Sequence, residues 1–281
     1  MSSVTRFTDI DGIMDEIQDG DTIAIPTMLG DFSAVAMNAT RAIVRRGRRG
    51  LHLVCVPSSS LQADMLIGGG CVASIQAGAV LLYEYGPARR FIERFHDGSL
   101  IVKEATCPAI QAGLTAAQKG VPFMPLRGLI GSDVLRVRAE DWKVVDNPFP
   151  PHDPIVVVPA IHPDVALFHA PMVDELGNVW IGRRGSLRLM AHAARKTLVT
   201  FERRYEGDMF QDHTLVPGLL AAHSVTAVSH QPRGAWPLHF GDEYAEDVAH
   251  MQIYAEAART QAGFDAYVER YVAAAATEMA R

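Results

Sequence analysis

Short, uninterrupted apolar runs alternate along this chain with segments whose apolar residues recur every three or four positions, and that rhythm limits the fold more than any other feature. Thr22-Ile-Ala-Ile25 and Leu51-His-Leu-Val-Cys-Val56 have the length and β-branched content of strands covered on both faces. Residues 9–17 place Ile10, Ile13, Met14 and Ile17 at helical spacing. Residues 33–45 read as a second helix with Ser33 as its cap, and another starts at Leu61. Strands are expected at 72–75, 80–83 and 100–102, with helices over 87–95 and 108–119. Strand followed by helix, repeated, is the signature of right-handed βαβ units. The expectation is an α/β chain with a mostly parallel multi-stranded sheet flanked by helices, forming one domain over 1–281.

The rhythm breaks at 126–154, which carries Pro148, Pro150, Pro151 and Pro154. This stretch is either a linker or an excursion that packs on a partner; the excursion is favoured because strand character resumes at Ile155-Val-Val-Val158. Strands are expected again at 165–169, 179–181, 198–201 and 225–228, and two helices at 242–259 and 264–279. Asp174-Glu-Leu-Gly-Asn178 describes a tight turn in which Gly or Asn takes positive φ and Asp174 closes the backbone, a structural hairpin.

Composition narrows the function. The net charge is −6, so nucleic acid would need a local basic stripe, and the candidate is Arg41 to Arg49. It sits at a helix end, where cations offset the dipole; a phosphate-binding patch is the competing reading. Cys55, Cys71 and Cys107 have no CxxC spacing, which suits a reducing compartment. The first residues carry no apolar signal core, and no run approaches the ~18 apolar residues of a membrane span. The expected location is cytoplasmic, without membrane or nucleic-acid partners. The histidines show no metal-binding spacing, and neither GxGxxG nor a Walker loop occurs, so neither a metal nor a bound cofactor is expected.

In parallel sheets ligands sit at the strands' carboxyl ends. Three loops qualify. The first, Pro26 to Asp31, offers Thr27, Met28, Leu29 and Gly30, with amides able to hold an anion or oxyanion; a plain connection is the alternative. In the second, Ser58, Ser59 and Ser60 could contact an acyl or phosphate group, or make Ser-turns and cap the next helix. No G-x-S-x-G elbow surrounds them, which argues against a nucleophilic serine. In the third, Glu104 ends a strand just before Thr106 and Cys107, placed for general-base or nucleophilic work, or for capping the following helix.

Taken in order, these segments resemble the alpha subunit of class I CoA-transferases, in the glutaconate CoA-transferase branch. The likeness is carried by Ile101-Val-Lys-Glu104, Ala112-Gly-Leu-Thr-Ala-Ala117, Gly120-Val-Pro-Phe-Met-Pro125 and Leu129-Ile-Gly-Ser-Asp133. It continues through Asp174-Glu-Leu-Gly-Asn178, Val199-Thr-Phe-Glu202, Val225-Thr-Ala-Val228, Pro232-Arg-Gly-Ala-Trp-Pro237 and Tyr244. The resemblance implies a mixed seven-stranded fold of the NagB/RpiA/CoA-transferase type and an active site between alpha and beta subunits. It further implies that the nucleophile on the acyl-CoA thioester is a glutamate of the beta subunit. The S-E-N-G motif of that glutamate is absent here, so this chain would supply strand-end loops, with Ser58 to Ser60, Cys107 and the Thr27–Gly30 loop as substrate contacts and Glu104 as its candidate catalytic group. CoA enters as part of a substrate, acyl-CoA, together with a carboxylic acid.

Two departures stand out. The family's first-strand loop reads G-G-F where this chain has Pro26-Thr-Met-Leu-Gly30, and E-E-Y-S-H is replaced by Lys103-Glu104-Ala-Thr-Cys107. A related branch, the two-subunit ring-opening hydrolases of steroid catabolism, uses an alpha-chain glutamate that aligns nearer Cys107 than Glu104. The alternatives to a transferase are therefore one half of such a hydrolase, acting on a cyclic CoA thioester, and a non-catalytic CoA-ester-binding protein.

Overall fold

The computed structural model describes residues 5–273. The first half runs β1 (Arg6–Thr8), α1 (Ile10–Asp15), β2 (Thr22–Pro26), α2 (Met37–Arg46), β3 (Leu51–Val56), α3 (Leu61–Gly68), β4 (Val72–Ala77), α4 (Arg89–His96), β5 (Ile101–Glu104) and α5 (Cys107–Lys119). An excursion follows, with β6 (Phe123–Leu126), α6 (Asp133–Val137), β7 (Lys143–Asp146) and β8 (Pro154–Pro159). The chain then returns through β9 (Val165–Asp174), β10 (Val179–Trp180), α7 (Gly185–Ala193), β11 (Lys196–Tyr205), β12 (Leu219–Leu220) and β13 (Ala227–His230). It closes with α8 (Val248–Ala257) and α9 (Gln261–Val268).

Eight strands form one parallel run in the order β1-β13-β11-β9-β2-β3-β4-β5, and β10 and β12 add a short antiparallel flap beside β9. The sheet is therefore wider than the seven strands implied by the resemblance. Strand alternation divides its two faces. Ile23, Ile25, Leu53, Cys55 and Leu167 pack with Ile13, Ala39, Ile43 and Leu66 of the helices on one side. Ala24, Val54, Val56 and Phe168 pack with Ile110, Leu114, Leu187 and Met190 on the other. Outside α2 and α3 lies a further layer, in which Met37, Leu61 and Met65 meet Met251, Tyr254, Phe264 and Tyr267.

Four local expectations are corrected. Residues 80–83 are not a strand: Tyr83 takes φ 53° and opens a 3₁₀ turn over Tyr83–Tyr85, while Leu82 is drawn into the outer core. Helix α2 begins at Met37 rather than Ser33, because 27–36 is used to fill a gap in the sheet and Ser33 is not its cap. The excursion is ordered. In it β8 lies between β6 and β7, antiparallel to both, so Ile155 to Val158 belongs to a small second sheet rather than the main one. Its Trp142, Val156 and Val158 nevertheless share a core with Ala24 and Phe168. Finally, the helix expected over 242–259 is shortened to α8, with the Asp247 side chain accepting the His250 amide as its cap. The expected helix over 264–279 begins earlier, as α9, and its part from 274 lies outside the described residues.

Candidate active site at the strand carboxyl ends

From β2 the chain winds outward through β3 and β4 to β5, then returns beside β2 as β9 and winds the other way. The crossover between β2 and β9 is the topological switch point, where open α/β sheets form their binding crevice. Only Ile23 and Ala24 of β2 pair with β9, at Val165 and Ala166. Beyond that β9 separates from β2, and the Ala34 carbonyl enters the gap to accept the His169 amide at 2.7 Å. This is why 27–36 is held as a shaped loop instead of continuing into helix.

The expected loops meet at this edge. The Ser58 hydroxyl reaches Thr27 Oγ1 at 3.4 Å, the Ser60 hydroxyl donates to the Met28 sulfur at 3.1 Å, and the Leu29 amide lies 3.4 Å from Thr27 Oγ1. Ser59, Ser60 and Met28 are buried, and the Ser60–Met28 contact holds the two loops against each other, whereas Leu29 is 53% exposed. Ser60 occupies the residue before α3 but makes no side-chain cap bond. Glu104 and Cys107 are exposed at the end of β5 and the start of α5. Glu104 does not cap α5: Thr106 precedes the helix, and the Glu104 carbonyl accepts from Arg138 at 2.8 Å.

Gly78 joins the second and third loops. Its amide donates to the Pro57 carbonyl at 2.9 Å, and a β-carbon there would meet Pro57 O at 3.3 Å, Ala105 O at 3.4 Å and Cys107 Sγ at 3.5 Å. A glycine here leaves the three strand ends in close approach, with room for a β-carbon only in tight contact. Two hydroxyls at the same edge, Ser59 Oγ and Thr106 Oγ1, are shielded from solvent and have no partner among the described residues. Buried hydroxyls are ordinarily satisfied, so these two stand out at the edge as groups without an oxygen or nitrogen partner.

Sequence reasoning passed over Arg184, which braces the first loop. Its guanidinium donates to the carbonyls of Phe32 and Thr27, the latter at 2.9 Å, and packs over the Phe32 ring. It lies directly against Gly30, so a side chain at Gly30 would collide with it. The flanking Gly182 and Gly185 around Arg183-Arg184 were the only signal in the sequence.

A second buried constellation lies beside the crevice, midway along β9 and β11 and just past the end of β13. Glu202 Oε1 accepts from the Tyr244 hydroxyl at 2.6 Å and from the Gly234 amide at 3.1 Å, and it contacts His169 Nε2 at 3.0 Å. Glu202 Oε2 takes the Arg233 amide at 2.7 Å, and His169 Nδ1 meets the Thr200 hydroxyl at 2.8 Å. Burial alone would raise the Glu202 carboxyl, yet the bonds from His169, Tyr244 and the Arg233 amide hold it below the ordinary range. Burial lowers His169 and raises Tyr244. The consistent state is an ionised Glu202 facing a neutral His169, with Nε2–H donating to Glu202 and Nδ1 accepting from Thr200. Glu202 and Tyr244 stood in the sequence only as parts of a family likeness; their meeting with His169 is a product of the fold.

Among the described residues no helix is long and apolar enough to cross a membrane, and no group of three or more His, Cys, Asp or Glu side chains is placed to hold a metal ion. No family model matches the chain. Individual proteins do. The A-type subunit of the 3-oxoadipate CoA-transferase of Pseudomonas knackmussii is 28% identical over 260 residues, which is 91% of this chain and 89% of that one. The cholesterol ring-cleaving hydrolase IpdA subunit of Rhodococcus jostii is 28% identical over 273 residues, 94% of this chain and 90% of the relative. The crystal structure of glutaconate coenzyme A-transferase from Acidaminococcus fermentans superposes with a TM-score of 0.85 at 26% identity, covering 95% of this chain and 89% of that one. Likeness of sequence and of fold over nearly the whole length leads to one conclusion: this chain is similar throughout to the alpha-type subunits of the CoA-transferases and shares the fold of glutaconate CoA-transferase.

Proposed function

We propose that the chain forms one wall of an acyl-CoA site that a beta-type subunit completes, and that the assembled enzyme moves CoA between an acyl-CoA and a carboxylic acid. The observation that carries this reading is the character of the strand-end rim. It holds two buried hydroxyls without partners, those of Ser59 and Thr106, yet Leu29, Glu104 and Cys107 are exposed. Thioester chemistry needs water kept out, and an outward rim of this kind is closed by a second surface.

In the reaction, a carboxylate of the partner attacks the thioester carbonyl and expels CoA thiolate, leaving a mixed anhydride. The thiolate then attacks the enzyme's own acyl carbon, releasing the carboxylic acid and leaving CoA on the enzyme as a thioester. A second acid reverses these steps. This chain's part is to hold developing negative charge on the thioester oxygen with donors at the strand tips, the hydroxyls of Ser59 and Thr106 being placed for it. Glu104 lies at the rim, where it can bear on the acyl group.

A second reading has its own support, since the ring-cleaving hydrolase relative matches over as much of the chain as the transferase relative does. The test is to co-purify the chain with its beta-type partner, supply acyl-CoA and labelled acetate, and trap enzyme thioester with borohydride. Label exchange with a trapped thioester supports the transferase. Acid production from a cyclic CoA ester, with neither exchange nor thioester, establishes the hydrolase instead.

A further inference from the structure

The basic stripe on α2 does more than end a helix. Arg41 and Arg45 project from one face of α2 into a recess of about 240 Å³, and Arg233 enters it from the turn after β13. Trp236 and Tyr271 supply flat apolar walls, and Asn38 adds a neutral amide. None of the three arginines forms an ion pair among the described residues. Arg41 is only 4% exposed, yet its partners are neutral: Nη1 donates to Asn38 Oδ1 at 3.0 Å and Nη2 to the Trp236 carbonyl at 2.6 Å. Its Nε–H has no acceptor among the described residues. Arg45 donates to the Val272 carbonyl at 3.2 Å, also neutral.

The nearest acidic groups are spoken for. Asp11, which acts on Arg45 at a distance, is bonded to Arg46 at 2.9 Å. Asp247, near Arg233, takes the Trp236 indole N–H at 3.1 Å and the His250 amide at 2.9 Å. Burial pulls the Arg41 guanidinium down to about 10, and neighbouring Arg45 acts in the same direction. Buried cations are normally paired, so the buried Arg41, on which the exposed Arg45 and Arg233 converge with no carboxylate lining the recess among the described residues, describes a site for an anion.

We propose that this recess binds a small planar organic acid, its carboxylate held by Arg41, Arg45 and Arg233 and its flat body against Trp236 and Tyr271. The recess holds roughly a dozen non-hydrogen atoms, too few for a CoA thioester. Its walls offer more apolar than polar surface, which favours an aryl or conjugated carboxylate over a bare phosphate. Arg41 already lies 4.9 Å over the Trp236 ring, so the charge and the aromatic wall are preassembled.

The site is separate from the strand-tip rim but joined to its support. Arg233, which lines the recess, and its neighbour Gly234 are the residues whose amides hold Glu202. A ligand bridging Arg233 and Arg45 would fix that turn, so its occupancy would stiffen the Glu202 network.

The test is calorimetric titration of the full chain with benzoate, at fixed ionic strength, with inorganic phosphate as a parallel arm. Saturable one-to-one benzoate binding is expected, weakened about tenfold or more in each of Arg45→Gln and Arg233→Gln, both exposed positions, with phosphate binding much weaker. Unfolding curves for both variants are recorded alongside, since a loss of binding in an unfolded chain is not a result. Absence of benzoate binding overturns the proposal, as does binding that is unchanged in both folded variants. Phosphate binding as tight as benzoate would overturn the planar acid as the ligand.

Discussion

The Tyr244 hydroxyl donates to Glu202 at 2.6 Å, and the same carboxylate gathers the Arg233 and Gly234 amides and the His169 ring. Four donors from three separate parts of the chain are satisfied by one side chain. Gly234 is essential to this geometry, because any β-carbon there would run into the His169 ring. The network ties the middle of β9 and β11 to the turn after β13, beside the crevice at which the first loop is anchored.

Removing the acceptor should therefore cost more than removing a donor. Glu202→Ala orphans two backbone amides, an imidazole N–H and a phenol in a buried setting. It is expected to destabilise the fold by about 3–5 kcal/mol. Tyr244→Phe deletes one donor to an acceptor that keeps three others and leaves the Ala235 amide without its acceptor, and about 1–2 kcal/mol is expected. Urea unfolding of the two variants beside the parent checks the ranking; equal costs would show that Glu202 is not the hub.

The same network sets a pH dependence. His169 has a folded value below its unfolded one, so the folded state takes up its proton less readily. The associated stability is present above about pH 6.5 and is lost as the pH falls below it. His250 and His192 are shifted in the same direction and add to the slope. Glu202, lowered in the folded state, contributes stability above about pH 4.3 that disappears on further acidification. Unfolding free energies measured at pH 7.5 and 5.5 should fall in the parent, and fall less in His169→Asn. An unchanged slope in that variant would remove His169 from the account.

Arg184 allows a test of the first loop. Its two carbonyl acceptors, on Thr27 and Phe32, lie at either end of the exposed Leu29 segment. Arg184→Ala is expected to cost about 1–3 kcal/mol in stability and to leave the loop open to proteases. Turnover of the assembled enzyme should fall on the order of 10²-fold through misplacement of the rim. Proteolysis that maps to 27–33 in the variant and not in the parent is the direct readout.

Much of the α/β layering was legible because strand and helix periods differ and this chain keeps to them. Thr22-Ile-Ala-Ile25 could be nothing but a buried strand, and Ile23 and Ala24 do face opposite layers. What escaped was decided by partners remote in sequence. Ser33 looked like a helix cap, but the separation of β9 from β2 claims the following residues as loop. Ile155 to Val158 is as apolar as any main-sheet strand, and only its pairing with Val144 and Leu126 assigns it to the small sheet. Gly78 carries no local signature, and Arg184 only its flanking glycines, because their roles exist only where loops from different strands come together.

The cysteines give the most direct test of where the rim points. Cys107 is exposed, while Cys55 and Cys71 are fully buried, and burial raises both thiols, Cys71 to about 11. A buried protonated thiol reacts slowly, so iodoacetamide should modify one thiol in the native chain and all three after unfolding, with Cys107 as the native site on peptide mapping. Cys107 Sγ lies beside Gly78 and the end of β5, within the surface assigned to the beta-type partner. Formation of the two-chain complex should then slow Cys107 modification by about tenfold or more, since an interface of standard size excludes reagent as well as water from its centre. Undiminished labelling in a complex shown intact by gel filtration would mean that the strand-tip rim faces solvent, and the shared-site reading would fall with it.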